Sequence, residues 1–240
     1  NMRWFLACMS WMFLPGLGLA FPPPDSVVTL MLPGEVPLQF TYVPPGEFLM
    51  GSPLSDSTRD GDEAPAVPTR IDSGFFLGTY EVTQAQWQAV MGKNPAVFQH
   101  VATHLQHPVE SVSWQDCQAF IARLEALGLG KFRLPTEAEW EYACRAGTAT
   151  RFYFGHDVPD WQAHHYGWMN SRSHAATNPV GQKIPNAFGL HDMSGNVWEW
   201  CQDTYAPHGK NPRTDTLKVF RGGSWYDFPV HQRSANRHKH

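Results

Sequence analysis

The chain has 240 residues, 42% of them hydrophobic and 13% aromatic, which is enough to bury a core in one large domain. Its 20 glycines and 20 prolines, set against only 17% charged residues, describe short elements joined by many loops. With 18 basic and 22 acidic side chains the net charge is −4, so no basic field exists for a polyanion and nucleic acid is excluded as an expected partner.

Residues 1–20 read as a secretory signal. Arg3 supplies the positive start, an apolar run follows, and Gly18-Leu19-Ala20 puts small residues before a cut after Ala20. Asn1, ahead of Met2, is read as an artefact. Pro15, Gly16 and Gly18 interrupt the run, so no stable membrane insertion of the mature chain is expected. That places the protein in the periplasm or outside the cell. Residues 21–37, with Pro22, Pro23 and Pro24, read as an extended leader, and 38–240 as the folded domain, expected to continue past His240.

Residues 40–43 and 46–50 read as two strands of a hairpin turned by Pro44-Pro45-Gly46. Residues 52–69 read as a polar loop in which Asp60, Asp62 and Glu63 face solvent, and 75–80 as an apolar strand. Thr83 and Gln86 form a capping-box pattern ahead of a short helix ended by Gly92. His100, His104 and His107 have zinc-compatible spacing if helical, but Pro108 favours a loop. Residues 114–127 carry apolar side chains three or four apart and predict a helix stopped by Gly128. Thr136 and Glu139 open another helix, with Glu137, Glu139 and Glu141 expected to face solvent.

Residues 151–184 read as long and irregular, and 203–217 as a further loop. Residues 218–221 read as the final strand, followed by the flexible Gly222-Gly223 pair. Cys117, Cys144 and Cys201 permit at most one internal disulfide; none has CxxC spacing, which favours small buried core residues and leaves the pairing open.

Between 151–184 and 203–217 lies the stretch the rest is organised around, Asn186 to Trp200, which reads as a rigid loop feeding a strand. Asp192 and Glu199 offer carboxylates, and Gly195 and Val197 offer carbonyls in a glycine-containing turn, a mixed oxygen set that suits calcium. An ordinary hairpin turn with the acids in solvent fits the same spacing.

Several motifs occur in one order: Gly46-Glu47-Phe48-x-Met50-Gly51, Glu81-Val82-Thr83, Val112-Ser113-Trp114, Arg133-Leu134-Pro135-Thr136-Glu137-Ala138-Glu139-Trp140-Glu141-Tyr142, Gly189-Leu190-x-Asp192-Met193-x-Gly195-Asn196-Val197-Trp198-Glu199-Trp200, Arg221-Gly222-Gly223-Ser224-Trp225 and Arg233-Ser234-Ala235-x-Arg237. Together, from Phe40 to Arg237, they resemble the formylglycine-generating enzyme, or sulfatase-modifying factor, family. The resemblance implies an α+β fold: a single C-type-lectin-like domain with a small twisted antiparallel sheet, flanking helices and a high loop content. It implies structural calcium at Asp192, Gly195, Val197 and Glu199. A second calcium site would begin at Asn170 and Ser171, but the downstream acid it needs is missing between Ser171 and His191. The disulfide partner implied for Cys144 would fall past His240.

The resemblance also implies a copper-binding cysteine pair soon after Gly222-Gly223-Ser224. Here no cysteine follows Cys201, so no copper is expected and formylglycine formation is not the expected activity. The family's substrate groove corresponds to Trp198, Ser224 and Arg233, with Trp225, Tyr226 and Arg237 alongside. An aromatic wall, a hydroxyl and a guanidinium suit a peptide-like or small-metabolite ligand. Two further readings stay open. One is a periplasmic enzyme in oxidative maturation of a siderophore or other peptide metabolite, with Asp227 or His231 as acid or base beside Ser224. The other is a variable lectin-like binding or display protein.

Overall fold

The structure is a computed structural model that describes residues 10–11, 23, 26–169, 176–206 and 217–240. Its three longer helices start where the sequence supplies a capping box. In α1 (Gln84–Met91), Thr83 Oγ1 accepts the Gln86 N–H while the Gln86 side chain accepts the Thr83 N–H, and Gly92 closes the helix at φ 75°. α2 (Trp114–Ala126) repeats the exchange between Ser113 and Asp116, and α3 (Glu137–Arg145) between Thr136 and Glu139. Each box satisfies two backbone donors that a helix start otherwise leaves unpaired. A fourth, one-turn helix, α4, covers Asp160–Ala163 within the stretch read as irregular.

The strands are β1 (Ser10–Trp11), β2 (Val27–Leu32), β3 (Val36–Val43), β4 (Gly46–Met50), β5 (Val67–Ile71), β6 (Phe75–Gly78), β7 (Phe132–Arg133), β8 (Glu199–Thr204), β9 (Lys218–Arg221) and β10 (Arg237–Lys239). They form antiparallel sheets in the orders β2-β3-β6-β1-β7, β10-β9-β8 and β4-β5. β1 lies inside the segment read as a signal, so cleavage after Ala20 would remove it from between β6 and β7. Among the described residues no helix is long and apolar enough to cross a membrane.

Several expectations change here. The leader is half of a hairpin: Val27–Leu32 pairs with Val36–Val43 across Gly34 and Glu35, both in the left-handed region at φ 76° and 59°. The expected hairpin of 40–43 with 46–50 does not form, because β3 pairs with β2 and β6 while β4 pairs with β5. Pro44 and Pro45 bring no N–H to a ladder, and the chain leaves one sheet for another there. β10 adds a strand beyond the one read as final.

One apolar cluster joins Phe40 and Phe76 to α1, α2, Trp198, Trp200 and Phe220, with Trp87 stacked on Phe120 at 4.9 Å. A second surrounds Trp140, Tyr142 and Cys144 of α3 with Leu77, Met193, Cys201 and Val219. The loop over residues 186–198 runs between the two clusters, which fixes it from both sides.

Candidate functional site

The loop ahead of β8 is built from backbone that few residues tolerate. Asp192 and Asn196 sit at φ 57° and 61°, and a Cβ at Gly195 would collide with the Trp168 carbonyl. Trp198 and Trp200 go into the core as read, but the acids do not go to solvent: Asp192 and Glu199 are fully buried.

Asp192 Oδ2 accepts the Gly181 N–H at 2.6 Å, while its buried Oδ1 has no hydrogen-bond partner among the described residues. Burial pushes the Asp192 carboxyl up to about 6, opposed by the Gly181 N–H, Lys183 and the Trp168 indole. Glu199 Oε2 accepts the Trp140 indole N–H at 2.6 Å. The Ser194 and Asn196 carbonyls accept the N–H groups of Trp168 (3.2 Å) and Trp225 (2.9 Å). The alternate carbonyls, Gly195 and Val197, take no backbone N–H from a described residue.

Sequence reasoning gave Glu81 no site role. It is buried below the same loop, and its carboxylate accepts the Val197 N–H at 3.0 Å and Asn196 Nδ2 at 2.6 Å. Burial, then the charges of Asp192 and Glu199, push it well above the usual carboxylate range. An acid three residues past the apolar run of β6 and next to apolar Val82 was the available signal.

Two buried carboxylates, an orphaned carboxylate oxygen and spare carbonyls are the hard-oxygen chemistry that calcium takes. The residues fit that ion without three converging acids; among the described residues no group of three acidic, imidazole or thiolate side chains could hold a metal. His107 is satisfied on both ring nitrogens, by Thr103 and Thr177 at 3.1 Å each, which explains it without zinc. Asn170 and Ser171 lie outside the described residues.

After β9 the chain turns at Gly222-Gly223 into a tight Ser224 to Asp227 turn. Asp227 Oδ2 accepts both the Ser224 hydroxyl (2.5 Å) and the Ser224 N–H (2.9 Å). Trp225 packs edge-on against Phe98 at 5.7 Å and against Tyr226 at 5.5 Å. Beyond it Tyr226 and Phe228, two residues apart, are 67% and 66% exposed and form an aromatic ledge with Trp225. The Trp225 N–H on the Asn196 carbonyl ties this ledge to the loop. Buried Trp198 packs against Phe220 (5.0 Å) and His238 (4.9 Å), and His231 lies 5.8 Å from His238 with its Nδ1 buried and without a hydrogen-bond partner among the described residues.

The two arginines expected to grip a ligand are used inside the protein. Arg233 forks onto Glu63, and Arg237 onto Glu137 with N–O distances of 2.7 and 2.5 Å. Glu141 likewise pairs with Arg145 (2.8 Å) and Arg221. Glu63, Glu137 and Glu141, expected in solvent, are therefore buried, because arginines distant in sequence come to meet them.

The thiols of Cys117, Cys144 and Cys201 are free and buried, and burial pushes each up, Cys144 to about 12. All three precede Gly222-Gly223-Ser224, after which the resemblance implies the copper-binding pair, so they do not supply that pair. Cys144 Sγ faces Ser234 Oγ at 3.6 Å, whereas the cysteine partner implied by the resemblance would fall past His240. Elsewhere a cavity of about 610 Å³ opens between β4, the end of α3 and residues 147–156. None of the expected ligand-binding residues lines it, and its arginines, Arg145 and Arg151, are held by Glu141 and Asp56.

Residues 33–240 match the sulfatase-modifying factor enzyme 1-like domain. The chain belongs to that family. This sulfatase-modifying-factor domain is 33% identical over 203 residues to the chaperone protein LppX of Paenibacillus barcinonensis, covering 64% of the chain and 70% of that protein. It is 39% identical over 155 residues to the formylglycine-generating enzyme of Streptomyces coelicolor, covering 55% of the chain but only 46% of that enzyme. Among solved structures, Treponema denticola variable protein 1 matches with a TM-score of 0.76 and 28% identity, covering 89% of this chain and 93% of that one. PvdO from Pseudomonas aeruginosa matches with a TM-score of 0.78 and 26% identity, covering 91% and 93%. The α+β, C-type-lectin-like expectation holds for the sulfatase-modifying-factor domain.

Proposed function

We propose that this is an exported sulfatase-modifying-factor domain that binds a peptide-like or small-metabolite ligand on its aromatic ledge, with calcium as a structural ion and without copper chemistry. The observation that carries it is the contrast after Gly222-Gly223: Tyr226 and Phe228 project into solvent while Arg233 and Arg237 are consumed inside. Exposed aromatic side chains of that size supply contact area at little conformational cost, as they do in adaptable binding surfaces. Ser224, Trp225 and Tyr226 would contact the ligand, whereas Trp198, Arg233 and Arg237 would support the surface from behind. The likeness to a Treponema denticola variable protein supports the display version of this reading.

The test is a peptide array probed with the purified protein, followed by calorimetry on the hits. Tyr226→Ala and Phe228→Ala should weaken binding by about tenfold or more, or roughly 1.4 kcal/mol; hits bound equally well by both variants would remove the ledge from the reading. Incubation with copper(I) and a cysteine-containing sulfatase peptide should yield no aldehyde, and any formylglycine would overturn the exclusion of copper chemistry. Mass spectrometry of the exported chain should find Phe21 at its start; an intact residue 1–20 segment would sink the localisation.

The likeness to PvdO favours a second reading, an enzyme in oxidative maturation of a siderophore or other peptide metabolite. Asp227 and His231 are then the acid and base candidates beside Ser224. Unchanged turnover of a candidate substrate after Asp227→Ala and His231→Ala would dismiss them.

A further inference from the structure

We propose that Glu81 is the positioning residue of the calcium loop: it holds the peptide between the two carbonyl ligands from outside and adds negative charge beneath the ion. The inference rests on the calcium reading above.

Glu81 lies three residues beyond the end of β6 and reaches the loop across 115 and 116 residues of sequence. One oxygen takes the Val197 N–H and the other takes the Asn196 side-chain amide. That amide is gripped from its other side as well, because Asn196 Oδ1 accepts the Asn178 N–H at 2.9 Å and Nδ2 also donates to the Asn178 carbonyl at 3.2 Å. The Asn196–Val197 peptide is therefore clamped at both residues while Asn196 is in the left-handed region. Gly195 and Val197, the residues whose carbonyls stay unused by backbone donors, flank the clamp directly. A carboxylate that orients ligands without touching the ion is how proteins commonly tune metal affinity, typically by 10 to 100-fold.

The charge argument points the same way. Glu63, Glu137 and Glu141 are equally buried, and each faces an arginine. The charged neighbours of Glu81 are Asp192 and Glu199, both acids. Three buried acids whose charges act on one another oppose folding; Lys183 beside Asp192 offsets part of that, and a bound calcium would offset more. Both oxygens of Glu81 accept, from the Val197 N–H and from Asn196 Nδ2, so a glutamine could keep the first bond but would set its own Nε2 against the Asn196 amide, donor to donor.

The experiment is a calcium titration of the full chain by calorimetry, paired with melting curves in calcium and in chelator, for wild type, Glu81→Gln and Glu81→Asp. Glutamine keeps the shape and the Val197 bond but removes the charge and the bond from Asn196; aspartate keeps the charge and draws the carboxylate back from Val197. We expect calcium affinity to fall about tenfold or more in Glu81→Gln and the calcium-induced rise in Tm to shrink with it, over and above any fall of Tm in chelator from the lost Asn196 bond. Glu81→Asp should also bind calcium more weakly. If wild type binds calcium and both variants bind it equally, Glu81 has no such role and the calcium reading survives alone. An equal loss of Tm with and without calcium would make Glu81 only structural. Absence of calcium binding by wild type would overturn both readings together.

Discussion

Arg233 and Glu63 face each other as guanidinium and carboxylate in a fully buried fork, 170 residues apart in sequence, with one N–O distance of 2.7 Å. Asn236 donates to the same carboxylate at 3.1 Å, and Ser52 donates its hydroxyl at 2.9 Å, so the acid is satisfied on all sides. Removing the carboxylate strands a buried guanidinium. Glu63→Ala is therefore expected to lose about 3 to 5 kcal/mol of stability, measured by urea unfolding. A loss below about 1 kcal/mol, the range of a surface pair, would mean that Arg233 is available to a ligand after all.

Cys144 and Ser234 touch across the second apolar cluster, sulfur to oxygen at 3.6 Å and 90 residues apart. Closing a loop of that length restricts the unfolded chain strongly. Ser234→Cys should therefore form a disulfide on oxidation and add about 2 to 4 kcal/mol, seen as a thiol count reduced by two and a higher Tm lost again in reductant. Two thiols still titratable after oxidation would show that the geometry cannot close.

What the sequence made legible was local. Capping boxes at Thr83 and Thr136, the apolar stripe of α2 and the glycine-bearing turn at Gly195 each depend on neighbours within a few residues, and each is found where it was read. Ser113 and Asp116 form a box by the same rule, with its cap one residue ahead of the stripe that starts at Trp114. The buried acids were not legible, because an isolated Glu137, Glu141 or Glu63 looks solvated until Arg237, Arg221 and Arg233 arrive from far along the chain. Strand partners failed for the same reason: β4 and β5 are separated by 16 residues of loop, and nothing local in Phe48 names Thr69 as its partner.

His107, His191 and His238 all lie below the usual 6.5, in each case chiefly because burial disfavours the charged ring. As pH falls below 6.5 the unfolded chain takes up protons that the folded chain refuses, so their contribution is complete above that value and is lost on acidification. Unfolding free energy from urea titrations should accordingly decline between pH 7 and 5.5, and less steeply in His107→Gln, which can still meet Thr103 and Thr177. Comparing the two proteins isolates the imidazole, because Asp192, pushed up to about 6 by burial, acts in the opposite sense in both. Parallel curves for the two proteins would show that His107 does not contribute.

Chelation tests the loop itself. Asp192 Oδ1 is buried without a hydrogen-bond partner among the described residues, and the charges of Asp192 and Glu199 act on buried Glu81. A cation bound only by the folded form stabilises it by mass action, about 4 kcal/mol when calcium exceeds its Kd a thousandfold. For a domain of this size that corresponds to roughly 10 °C of Tm, so adding a calcium-selective chelator should lower Tm by about that amount and calcium should restore it. Asp192→Asn, which keeps the acceptor for Gly181 but removes the charge, should melt at nearly the same temperature in both conditions. A wild-type Tm that does not move with chelator would leave the orphaned oxygen of Asp192 to some other partner, and the loop would be held by its protein contacts without an ion, those of Glu81, Asn178 and Gly181 among them.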